Sequence, residues 1–294
     1  MSGIDLRPLS LGELLDRTFF LYRRHFVLFA GIAAIPYFVA MLAVVGATLA
    51  FGMAMPFALP RPGHPMLTPA EVGTMAGGLA IAGVLLYCSF ALSAGASAVA
   101  VAELYQGRTP TIWEALHRAL SRLFTLLGVM ILSIFITIAG LIFLVFPGVY
   151  LACRASAGIA AATIENIGPG RAISRSFHLT KSFAGRAFLI VLLNGAVVYA
   201  AVFLVQFPLL VLVQVNHDRP ALAMTFAVLA QVANFFSTVL VMPVLLVGFA
   251  VYYFDLRVRK EAFDLQVMMQ SLGTDSLPPA VPGGEPGTIG SDAL

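Results

Sequence analysis

The feature that most limits what this chain can fold into is a series of apolar runs far longer than a soluble core helix needs. Crossing a hydrocarbon layer of ~30 Å takes about 20 helical residues. Four runs exceed that length without a break, at residues 26–55, 76–102, 187–215 and 221–254. A further stretch, 123–164, is too long for one crossing, and Pro147-Gly148 divides it into 123–146 and 149–164. Only 11% of the 294 residues are charged and 60% are apolar, whereas soluble domains carry about 25% charged residues. A water-soluble fold of this size could not cover its surface with so few charges. The expected class is an all-α membrane protein of about six transmembrane helices arranged as three hairpins.

The placement of charge sets the topology. With six spans, one side of the membrane collects Arg7, Arg17, Arg23, Arg24, Arg108, Arg118 and Arg122, then Arg171, Arg175, Lys181, Arg186, Arg257, Arg259 and Lys260. The other side keeps Arg61 and Arg219, so the division is fourteen against two. Basic residues accumulate on the cytoplasmic side of bacterial membrane proteins, which puts both chain ends inside. Omitting the short span 149–164 would send the last two basic clusters outside, and the six-span count follows. Residues 1–271 form the membrane domain. Residues 272–294 hold five glycines, four prolines and few bulky apolar side chains, too little to offset the entropy of folding, and a disordered cytoplasmic tail is expected. The charged first 25 residues lack the short apolar core and cleavage site of a signal peptide. Cys88 and Cys153 lie inside apolar runs and read as small buried hydrophobes.

An amphipathic helix precedes each hairpin on the cytoplasmic side. In the first, Leu11, Leu14, Leu15, Phe19 and Tyr22 recur at helical spacing, and Ser10 with Glu13 forms a capping box. The second sets Ile112, Leu116, Ala119, Leu120 and Leu123 on one face, with Thr111 and Glu114 as its box. The third follows Pro169-Gly170 and sets Ile173, Phe177 and Phe183 opposite Arg171, Arg175, His178 and Lys181. The stretch from Ser10 to Arg17 aligns with Thr111 to Arg118, and more loosely with Gly168 to Arg175. Three parallel copies of an interfacial helix plus hairpin account for this. Arg17, Arg24, Arg118, Arg122, Arg171, Arg175 and Lys181 are therefore the candidate contacts with a membrane surface, each worth about 1 kcal/mol against anionic lipid.

The opening Leu6-Arg-Pro-Leu-Ser-Leu-Gly-Glu-Leu-Leu-Asp-Arg-Thr-Phe-Phe-Leu-Tyr-Arg-Arg-His-Phe26 resembles the membrane domain of bacterial glycerophosphoryl diester phosphodiesterases. The likeness continues at Phe146-Pro-Gly-Val-Tyr-Leu-Ala-Cys-Arg154, at Arg175-Ser-Phe-His-Leu-Thr-Lys181 and at Tyr252-Tyr-Phe-Asp-Leu-Arg-Val-Arg-Lys-Glu261. It implies a six-helix protein of the bacterial inner membrane. It implies little about activity, because the family takes its name from fusion to a soluble catalytic domain that this sequence does not contain.

The residues themselves point away from catalysis. Four of the five histidines, His25, His64, His117 and His217, fall at water-facing or interfacial positions, and His178 sits among basic residues. No pair has the spacing of a metal site, and no HExxH, GxSxG or GxxxxGK[ST] motif occurs. No cofactor is expected. The basic helices lack interleaved aromatic platforms, so nucleic acid is not expected as a partner.

Arg154 stands apart, because a charge within a span costs on the order of 2.5–3.5 kcal/mol. If its helix starts at Pro147 on the outer side, the guanidinium lies roughly 10 Å deep. The amides of Gln206 and Gln231, or the Val239 carbonyl freed by Pro243, could satisfy it. Arg154 is then either a contact for an anionic headgroup or solute, or a tether that snorkels to the outer interface. The small residues at 91–98, with Ala152, Ser156 and Ala160, mark a close-packed helix contact. Such stripes also occur at homodimer faces or against another membrane protein. The favoured reading is a non-catalytic scaffold or accessory factor in membrane lipid or envelope handling. The rival is a transporter whose path passes Arg154, Gln206, Gln231 and Asn234, although no buried acid is expected to couple it to protons or ions.

Overall fold

The computed structural model describes residues 8–50, 69–216 and 218–261. The expected tail at 272–294 lies outside them, as do Arg7, Arg61, His64 and His217. Among the described residues there are ten α-helices and no strand: α1 (Leu11–Arg24), α2 (Phe26–Ala50), α3 (Pro69–Tyr105), α4 (Ile112–Leu120), α5 (Leu123–Phe143), α6 (Val145–Ala155), α7 (Gly158–Ile164), α8 (Pro169–Thr180), α9 (Ala184–Val215) and α10 (Pro220–Glu261).

Five stretches are long and apolar enough to cross a bilayer: Phe26–Leu49, Ala76–Tyr105, Leu123–Phe143, Val145–Ile164 and Pro220–Glu261. A sixth crossing is made if α8 and the first part of α9, bent by 99°, count as one span. The distribution of side-chain size fits lipid as the solvent. Phe124, Phe143 and Phe146 are more than three-quarters exposed, while Ala91, Ala96, Ala100, Ala157 and Ala161 are fully buried. Small residues inside and large apolar ones outside is the packing expected where lipid gives no hydrophobic drive for helix association. The chain is an all-α, multi-pass integral membrane protein.

Both capping boxes form. The Ser10 hydroxyl accepts from the Glu13 N–H at 3.3 Å, and the Glu13 carboxylate accepts from the Ser10 N–H at 2.7 Å. Thr111 and Glu114 repeat this at 3.3 and 2.9 Å. At the third start Gly168 supplies no side-chain cap, and Pro169 occupies the first turn instead, where its missing N–H would be unpaired anyway.

The buried faces differ from those expected by about one residue. On α1 the buried residues are Leu14, Thr18, Leu21 and Tyr22, while Phe19 turns outward. Docking on α10 sets this rotation, since the Tyr22 hydroxyl donates to the Leu240 carbonyl at 2.5 Å. Thr18 tolerates burial because its hydroxyl donates to the Leu14 carbonyl at 2.8 Å. On α4 Ala115, Leu116 and Ala119 are buried and Leu120 is exposed.

The break within 123–164 also moves. The chain turns at Leu144, and α6 starts at Val145 with Pro147 in its first turn. Proline is accepted there without loss of a helical hydrogen bond. Gly148 instead lets the two helices meet: a Cβ on it would fall 2.5 Å from the Leu141 Cγ. A second interruption, at Ser156-Ala157, separates α6 from α7, and the Ser156 hydroxyl donates to the Cys153 carbonyl at 2.7 Å.

Helices α1, α4 and α8 gather at one end of the bundle. Leu9, just before α1, meets Asp255 and Arg259 near the end of α10. Arg118 of α4 meets Glu103 at the end of α3, and Lys260 donates to the His178 carbonyl of α8 at 2.6 Å. This basic end holds the larger core cluster, including the fully buried Leu14, Phe29, Tyr252 and Tyr253.

Candidate functional site

The last turns of α10 meet two ionic clusters, one built around Asp255 and the other around Glu165. Asp255 has a side chain with no exposed surface. Its carboxylate accepts from the Leu9 N–H at 2.8 Å, from Arg186 Nη1 at 3.2 Å and from Arg259 Nε at 3.0 Å. Arg186 and Arg259 also donate to the Leu9 carbonyl, so both backbone groups of Leu9 are held. This arrangement fastens the chain entering α1 to the ends of α9 and α10. In the second cluster Glu165, after α7, accepts from Arg175 Nε at 2.9 Å and from the Tyr253 hydroxyl at 2.6 Å. Arg175 also meets Glu261, which pairs with Arg257 at 3.0 Å. The sequence did carry a signal: Asp255 and Arg259, like Arg257 and Glu261, stand one helical turn apart with opposite charge. The expectation of no buried acid is therefore corrected, although these acids sit at the bundle end and each is paired with arginine.

Arg154 finds different partners from those expected. Its Nη2 donates to the Phe177 carbonyl at 2.5 Å, and its guanidinium lies 4.6 Å from the centre of the Phe177 ring. In return the Arg154 carbonyl accepts from the Ser176 hydroxyl at 2.6 Å and from Thr180 at 3.1 Å. Phe177 lies in the last turn of α8, where carbonyls have no helical N–H to accept and favour a nearby cation. Arg154 thus ties α6 to α8 and reaches toward the basic end instead of the opposite interface. Gln206 donates to the Ala230 carbonyl at 3.1 Å, while Gln231 and Asn234 are half-buried on α10. Among the described residues Arg154 bonds to none of these three, and no shared path is assembled from them.

The candidate surface arginines divide into two groups. Arg175 is internal, as described. Arg118 pairs with Glu103 at 2.5 Å, and Arg17 lies over the Tyr105 ring at 5.7 Å. Arg24 lies over the Phe20 ring at 5.8 Å on the exposed side of α1. Arg171 and Lys181 are exposed, and Arg122 is half-buried.

The small-residue stripes lie in the packed core and also border a cavity. Gly95 packs closely, since a Cβ there would fall 2.6 Å from Leu126 Cδ1. Ala94, Ala98, Ala152, Ser156 and Ala160, however, line a cavity of about 340 Å³ with residues of α5 and α10. The hydroxyls of its wall are already engaged: Ser133 donates to Val129, Thr137 to Ser133 and Ser156 to Cys153, each at 2.7 Å. These walls offer a guest apolar contact and hardly any hydrogen bonding.

Comparison with protein-family models, with curated proteins and with solved structures finds no match.

Proposed function

We propose that this is a non-catalytic protein of the bacterial cytoplasmic membrane, with both ends inside, acting as a scaffold or accessory factor in envelope lipid handling. The observation that carries the reading is the cavity within the spans, whose walls suit hydrocarbon and offer hardly any hydrogen bonding to a polar solute. The carboxylates of Asp255, Glu165, Glu261 and Glu103 are all engaged by arginine, an arrangement that suits architecture better than proton transfer or metal binding. The fourteen-to-two division of basic residues supports the cytoplasmic placement of the ends. The matching capping boxes at Ser10 and Thr111 support the first two of three parallel copies of helix plus hairpin, and the likeness to the phosphodiesterase membrane domain supports a bacterial inner-membrane setting.

A strain lacking the chain should show altered detergent sensitivity and phospholipid composition, both restored by the wild-type gene. Proteoliposomes containing the purified chain should take up glycerol phosphate no faster than empty ones under an imposed proton gradient. Uptake that scales with protein content would overturn the scaffold reading in favour of the transporter. An unchanged envelope in the null strain would count against lipid handling.

A further inference from the structure

One turn along α3 from the apolar cavity lies a second concavity of about 450 Å³ with the opposite character. On α3 the stripe Phe90, Ala94, Ala98 lines the first, and Ala102, with Gln106 just past the helix end, continues the same four-residue spacing into the second. The segment following Ser156 does likewise, with Ala160 lining the first and Thr163 and Asn166 the second. The second concavity opens at the basic end, between α3, α4 and the loop after α7.

Its charge is uneven. Arg118 and Arg122 face one glutamate, Glu103, and that glutamate is also held by Arg108 at 2.5 Å. The Arg122 guanidinium has no hydrogen-bond or ion-pair partner among the described residues, and it is half-buried. A cation left without a counter-charge beside a polar hollow is complementary to an anion. A hydrocarbon-lined chamber with self-bonded hydroxyls is complementary to an alkyl chain. From Phe90 to the end of α3 at Tyr105 the helix rises about 22 Å. One leaflet, headgroup included, measures roughly 20–22 Å.

We infer that the α3–α5–α7 crevice seats one anionic phospholipid, its phosphate against Arg122 and Arg118 and an acyl chain in the cavity along Ala94 and Ala98. The inference rests on the lipid-handling reading and gives it a ligand class and a location. The phospholipid enters from the leaflet at the basic end. Arg122 recognises the charge, and the alanines leave room for the chain.

The test uses the full chain in a neutral mild detergent with three probes: dioleoyl phosphatidylglycerol, dioleoyl phosphatidylcholine and inorganic phosphate. Native mass spectrometry counts retained lipid, and a melting scan reads stabilisation. The wild type should retain one phosphatidylglycerol and prefer it over phosphatidylcholine by on the order of ten-fold, the worth of one hydrogen bond to a charged group. Phosphate alone should shift melting little. Arg122→Gln should remove the preference between the two lipids, and Ala98→Phe should expel the retained lipid. Ala94→Leu stands in if Ala98→Phe does not fold, and the Arg122→Gln comparison decides alone if neither does. Arg219→Gln, which changes an exposed arginine at the opposite end of the bundle, should behave as wild type. Phosphatidylglycerol retained equally by the Arg122 and alanine variants would overturn the crevice while leaving lipid handling intact. Inorganic phosphate stabilising as strongly as phosphatidylglycerol would overturn both, since the hollow would then take a free anion.

Discussion

At the end of α10, Arg175, Arg186, Arg257 and Arg259 each pair with a carboxylate inside the protein, whereas beside α3 Arg122 pairs with none among the described residues. All five count equally toward the positive-inside bias, yet they have different surroundings. Around Asp255 and Glu165, arginines and acids neutralise one another, and each cluster holds three chain segments together. Beside α3 the charge is left over in a hollow one helical turn from an apolar-lined cavity. The contrast teaches that a basic end of a membrane bundle is not one uniform lipid-binding surface. Part of it is internal fastening, and part of it carries charge with no internal partner among the described residues.

The contrast breaks most visibly if the fastening is removed. Asp255→Ala leaves Arg186, Arg259 and the Leu9 N–H without their shared acceptor, and losing one partner of a buried pair costs about 3 kcal/mol or more. The expected result is a large fall in melting temperature in detergent, with lipid preference unchanged in whatever protein stays folded. A variant with wild-type stability would show that the Leu9 fastening is dispensable. Arg154→Leu should cost less, about 1–2 kcal/mol, because it leaves the Phe177 carbonyl without its donor but also removes a charge from the span layer. Its stabilisation by anionic lipid should equal that of wild type. Loss of lipid response with the fold intact would return Arg154 to the headgroup role.

How far these features could be read from residues alone follows from the range of the interactions. The capping boxes at Ser10 and Thr111 are local and need only four residues, so they were legible. The long apolar runs were legible because lipid imposes one length on every crossing. The partner of Arg154 was not, because it is a backbone carbonyl on α8, and every residue type carries one. The cavity was hidden for a related reason. Alanine and serine at four-residue spacing describe a smooth helix face, and only the spacing of the neighbouring helices decides whether that face is filled.

A smaller effect sharpens the division at the exposed side. Arg171→Gln and Lys181→Gln should each change stability by less than about 1 kcal/mol, since exposed charges contribute little to folding. They should weaken association with anionic vesicles modestly and lose even that difference at high salt. A melting scan paired with vesicle sedimentation separates the two effects. A large loss of stability would move these residues into the fastening group.

The smallest expected effect is a dependence on pH at the junction of α1 and α2. Burial, reinforced by Arg24, holds His25 below the usual imidazole value of 6.5. The unfolded chain therefore takes up this proton first, and stability should decline as pH falls through 6.5, levelling once the folded form is also protonated. His25→Gln should flatten that part of the profile. An unchanged slope in melting temperature between pH 7.5 and about 5.5 would assign the dependence to other groups.

The central claim, that lipid meets this protein in the α3–α5–α7 crevice and not at the arginine–carboxylate clusters, is tested most directly by photo-crosslinking. A phosphatidylglycerol carrying a diazirine near the end of one acyl chain would be incorporated in vesicles with the protein. Solubilisation and removal of bulk lipid would precede illumination, so that only retained lipid reports. The account predicts crosslinks concentrated in the peptides holding Met130, Ile134 and Ile138 and those holding Ala152, Ser156 and Ile159, whose side chains line the cavity. Crosslinks spread over the exposed faces of α9, at Tyr199, Phe203 and Leu204, with none in the cavity peptides, would contradict it.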